Sequence, residues 1–119
     1  METKETKKTD NVLPEGITQA MIDAAKVKYG NDKVKFIDIP TNDEGTDYKT
    51  VLATVPSRNI VGQYRRFADT DPKRADEILV KNCLLSHKEE VLADDGLFYG
   101  AMGGIAELIP VRKAIVKNC

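Results

Sequence analysis

Few side chains in this 119-residue chain have both the type and the surroundings that catalysis needs. The one histidine, His87, sits in the polar run SHKEEVLA, where it reads as a solvent-facing loop residue. Cys83 lies in an apolar helical pattern without an evident imidazole partner, so a buried, reduced thiol is expected. No serine occupies a GxSxG context, and the Cys/His spacing of a metal site is absent. The run GAMGG, Gly100 to Gly104, has neither the spacing of a dinucleotide fingerprint nor the Lys and Ser/Thr of a phosphate loop. Asp43–Glu44 and Asp94–Asp95 are acidic pairs, but neither belongs to a twelve-residue calcium loop. Turn and helix-cap duty explains both. The expectation is a chain that acts by binding, with no catalytic residues, no metal site, no cofactor and no small-molecule substrate.

Composition narrows the partners. Hydrophobic residues make up 41% of the chain and charged residues 31%, which fits a globular body. With 18 basic and 19 acidic side chains well mixed, the formal net charge is −1. That balance gives no electrostatic reason to bind nucleic acid or an anionic membrane. The apolar runs are far short of a spanning helix, and the N-terminal METKETKKTDN has no apolar core of a signal peptide. A cytoplasmic protein is expected. Residues 1–11 should be a solvated tail, with a single globular domain over 12–119.

The elements that would hold such a body can be taken in order. Thr18 is placed to cap a first helix, with Ile17 and Ile22 as a hydrophobic staple and Gly30 to end it. Two strands follow, KVKFIDI (Lys33–Ile39) and DYKTVLATV (Asp47–Val55), joined by the polar loop PTNDEGT. Phe36 and Ile37 are adjacent and point to opposite faces, so the first strand is either covered on both sides or bulged. From Ser57 to about Ala68, Ile60, Tyr64 and Phe67 recur at helical spacing, with Arg58, Arg65 and Arg66 on the wet side. The fold class is α+β: four to five helices with one antiparallel β-hairpin in a helix-rich body.

The stretch from Asp71 to Ile109 is the expected centre. It reads as two helices, DPKRADEILVKNCLL and DDGLFYGAMGGIAELI, joined by the polar connector SHKEEVLA. In the first, Ala75, Ile78, Leu79, Asn82 and Cys83 fall on one face, with Asp71 as cap and Pro72 at the first helical position. In the second, Phe98, Ala101, Met102, Ile105 and Ile109 do so. Gly100, Gly103 and Gly104 lie inside that second pattern, each costing about 1 kcal/mol relative to Ala. Close approach of another helix would offset this, either within the molecule or from a partner. Leu97, Phe98, Gly100, Met102, Gly104, Ile105 and Ile109 are therefore the candidate partner-binding residues. Pro110 kinks or stops the helix, and VRKAIVKN has the pattern to continue it.

The order of a helix ending in KYG, short strands, a P-S-R helix, ADEILVKNCLLS and DDGLFYGAMGGIAELI resembles the small tail assembly chaperones of tailed bacteriophages and prophages. The similarity spans about residues 17–117. It implies no catalytic residues. What it implies is a scaffolding role in the bacterial cytoplasm: binding the tape-measure protein, keeping it soluble during tail morphogenesis, and self-association. In that family a longer form often arises by ribosomal frameshifting. The alternative within the same resemblance is a small phage-encoded adaptor or inhibitor that binds a host protein.

Overall fold

The computed structural model describes residues 12–119; the expected tail over 1–11 lies outside them. Among the described residues the order is α1 (Gln19–Tyr29), β1 (Val34–Pro40), β2 (Tyr48–Thr54), α2 (Arg58–Ala68), α3 (Pro72–Cys83), α4 (Lys88–Ala93) and α5 (Asp95–Glu107). This is the expected helix-rich α+β architecture.

The hairpin divides the core into two layers. β1 and β2 pair antiparallel in unbroken register from Val34↔Thr54 to Pro40↔Tyr48. No bulge interrupts it, and Phe36 and Ile37 point to opposite faces: Ile37 packs against the main core, while Phe36 stays 49% exposed. One face carries Ile39, Val51 and Ala53 into the main core, where they meet Leu79, Cys83, Ala101 and Ile105. The opposite face carries Leu52 and Val34 against Ile17 and Ile22, beneath α1. The loop between the strands is folded around Asn42. Its side-chain oxygen accepts from the backbone N–H of Thr46 at 3.0 Å and of Asp47 at 3.2 Å, and Gly45 takes φ +71°. Asp43 and Glu44 point from that turn into solvent.

Four helix starts follow their capping residues. Thr18, Ser57, Asp71 and Asp94 each accept from the backbone N–H three residues on. Three expectations need correction. The connector after α3 is not simply polar coil. It contains the short helix α4, whose Val91 is fully buried in the main core. Residues 110–119 do not prolong α5, which ends at Glu107. Pro110 cannot donate the hydrogen bond that the next turn requires, and the following residues lie outside any helix or strand and are exposed. The buried face of α3 is also rotated relative to expectation: Ala75, Leu79, Val80 and Cys83 are buried. Asn82 is exposed and its amide donates back to the Ile78 carbonyl at 2.7 Å.

Cys83 is buried as expected, and burial pushes its thiol up to about 11. Cys119 is exposed. At pH 8 the thiolate fraction of Cys83 is then roughly one part in a thousand. Ellman's reagent is expected to titrate one thiol rapidly in the native chain and the second only after denaturation. Rapid reaction of both would show that the α3 face opens readily.

Candidate functional site

α5 is the element on which the candidate partner-binding residues were placed, and its three glycines are not equivalent. A methyl group built on Gly100 would lie 2.5 Å from the Cγ2 of Ile39, and one on Gly104 would lie 2.6 Å from the Cγ2 of Ile37. Carbon atoms in contact sit at about 3.5–4.0 Å. The close neighbour that offsets the glycines is thus strand β1 of the same molecule, not a second helix. Gly103 meets nothing within 4 Å and lies on the helix flank turned away from the core.

The seven candidate residues therefore do not form one surface. Gly100 and Gly104 are committed to β1, and Ile105 is fully buried in the main core. Ile105 has no surface to offer a partner, and the sides of Gly100 and Gly104 that face β1 are occupied. Leu97 lines an open cleft of about 560 Å³ between the hairpin end at Tyr48, the lead-in at Glu15 and the α4–α5 junction. Ile109 lies beyond the helix in a smaller hollow beside Pro56, Arg58 and Pro110. Phe98 and Met102 remain together, four residues apart on one side of α5 and half-buried. Tyr99, adjoining them, is 59% exposed and stands edge-on to Phe98 with ring centroids 5.3 Å apart. Tyr99 adds apolar bulk beside the expected set without belonging to it.

The cleft is polar. Lys49 of β2 and Glu90 of α4 form an ion pair across it at 2.7 Å, joining the hairpin to the short helix. Among the described residues, no three His, Cys, Asp or Glu side chains cluster as a metal site would require.

His87 is the largest departure from expectation. It is half-buried and takes left-handed backbone angles at the start of α4. Its Nε2 lies 2.9 Å from the carbonyl oxygen of Glu15. A carbonyl only accepts, so Nε2 carries a proton, and in the neutral imidazole Nδ1 is the acceptor. The Ser86 hydroxyl, 2.7 Å away, donates to Nδ1 and accepts from the Leu52 backbone N–H at 2.8 Å. The serine and histidine touch, but their geometry is not that of a nucleophile and its base. The hydroxyl is buried at 5% exposure and already binds a backbone amide. The arrangement is a strut running from β2 through Ser86 and His87 to the lead-in. Gly16 at φ +81° packs on the imidazole, where a side chain would collide with Nε2.

Among the described residues, no helix is long and apolar enough to cross a membrane. Comparison of the chain with family models, with curated proteins and with solved structures gives no match.

Proposed function

We propose that this chain acts by binding protein rather than by catalysis, as a tail assembly chaperone that holds a tape-measure protein soluble in the cytoplasm of a bacterial host. The observation that carries this reading is the solvent margin of α5, where the core-packed Phe98 and Met102 come to the surface. There an exposed Tyr99 adjoins half-buried Phe98 and Met102, on a helix fixed in place by the seating of Gly100 and Gly104 on β1. Aromatic and methionine side chains on a rigid helix are well suited to an apolar segment of a long helical partner. The resemblance of the α3–α5 stretch to the tail chaperones supplies the partner class.

The test is co-expression with the tape-measure protein encoded in the same phage or prophage. The native chain is expected to keep that protein in the soluble fraction and to co-purify with it. Tyr99→Asp, at an exposed position, is expected to remain folded by circular dichroism and to lose co-purification. A folded Tyr99→Asp chain that still solubilises the tape-measure protein would remove this face from the reading. Failure of the native chain to bind it, with capture of a discrete host protein instead, would favour an adaptor or inhibitor.

A further inference from the structure

We infer that the outer edge of β1 takes up residues 111–117 of a second copy of this chain as an added antiparallel strand. The edge is defined by the ladder. Val55 N–H donates to Lys33 C=O and Thr41 N–H donates to Asp47 C=O at its two ends. With the register of the strands, Lys35, Ile37 and Ile39 exchange hydrogen bonds with β2. Antiparallel alternation then turns the backbone N–H and C=O groups of Phe36 and Asp38 outward. Among the described residues, neither group forms another backbone hydrogen bond. The far edge of β2 is closed: Leu85 N–H donates to Leu52 C=O at 2.8 Å, and Leu84 bridges Ala53. β1 is thus the hairpin's open edge, and Phe36 on it is 49% exposed.

Residues 111–117 are built to fill it. They lie outside any helix or strand, are exposed throughout, and include β-branched Val111, Ile115 and Val116 at 80%, 81% and 94% exposure. Antiparallel pairing of Ile115 with Phe36 sets Lys113 opposite Asp38, Ala114 opposite Ile37 and Val116 opposite Lys35. An aromatic/β-branched pair and an opposite-charge pair then share one face. On the other face the small Ala114 falls beside Ile37, where α5 stands close at Gly104 and leaves open space at Gly103.

The donor is a second molecule because the same chain cannot reach. Gly100 contacts Ile39 and Gly104 contacts Ile37, so α5 runs antiparallel to β1. It releases the chain beside Pro56 and Arg58, at the Val34 end of the hairpin. The register needs Arg112 at Ile39, five residues or about 17 Å along the strand. Two residues after Pro110 span at most about 7 Å.

Sedimentation equilibrium of the intact chain, from micromolar to sub-millimolar concentration, tests this. A dimer is expected. Ile115→Pro removes a strand donor from an exposed segment outside any helix or strand, so the monomer's circular dichroism should not change. It is expected to weaken dimerisation by about tenfold or more, a loss of at least 1.4 kcal/mol. Lys113→Glu should weaken it as well, and Asp38→Lys should restore it in the Lys113→Glu background. A native chain that stays monomeric overturns the inference, as does a dimer unaffected by Ile115→Pro. A monomer whose Phe36 amide is protected from hydrogen exchange would place the segment in its own molecule and overturn the second copy as donor.

Discussion

Gly100→Val and Gly104→Val are each expected to destabilise the fold by about 3 kcal/mol, the upper end of ordinary overpacking costs. Gly103→Ala is expected to stabilise it by about 1 kcal/mol. The three positions lie within five residues on one helix, so composition and helix propensity alone predict gains at all of them. Packing reverses the sign at two. The methyl carbons of Ile37 and Ile39 occupy the places where side chains on Gly104 and Gly100 would stand. Both belong to β-branched residues on a paired strand, which have few alternative rotamers to move into. Accommodation therefore requires α5 to lift from the hairpin, which would thin the contact between the buried Ala101 and Ile105 and the rest of the core. At Gly103 nothing lies within 4 Å, and the added methyl only removes backbone freedom from the unfolded chain. Urea unfolding with unchanged m-values would report these shifts as displaced midpoints. A stabilising Gly100→Val would mean that α5 does not sit on β1.

The same contrast separates what the residues disclose alone from what they do not. The helix starts at Thr18, Ser57, Asp71 and Asp94 were readable because a cap is satisfied by an amide three positions away. The hairpin was readable from β-branched runs, a polar loop and Pro56. The need for a close neighbour at Gly100 and Gly104 is readable too, since a cost of that size has to be offset, but at Gly103 the same reasoning fails because nothing lies within 4 Å. Its identity was not: a glycine marks where a backbone approaches, and a strand satisfies it as well as a helix does. The buried face of α3 departs from the sequence rhythm because Asn82 fits that rhythm by position while its amide finds a partner one turn back. α4 was hidden by its brevity, since six residues with one buried valine carry no period to detect. The candidate surface failed as a set for a related reason. Helical periodicity selects the residues that point inward, and a partner meets those that do not. Tyr99 and the β1 edge both lie outside that rhythm.

His87 shows the limit most clearly, and the strut it belongs to supplies the second large effect. Ser86→Ala is expected to cost about 2 kcal/mol, because it strands the backbone N–H of Leu52 without a partner in a buried site. Leu52 is 2% exposed and packs with Ile17 and Ile22, so water cannot readily replace the hydroxyl. His87→Ala is expected to cost less, about 1 kcal/mol, since Glu15 lies at the surface and its carbonyl can turn to solvent. The two losses should not add. Each variant removes the 2.7 Å hydrogen bond between Ser86 and His87, so the double variant is expected to fall short of the sum by roughly 0.5 kcal/mol or more. Hydrogen exchange distinguishes the positions: Ser86→Ala should expose the Leu52 amide, and His87→Ala should leave it protected. The partners in this strut are 34 and 72 residues apart in sequence, which is why a lone histidine in a polar run gave no sign of it. If Ser86→Ala left both the unfolding midpoint and the Leu52 amide unchanged, the Ser86–His87 strut would not hold β2, and the Leu85 hydrogen bond to Leu52 would close its far edge without it.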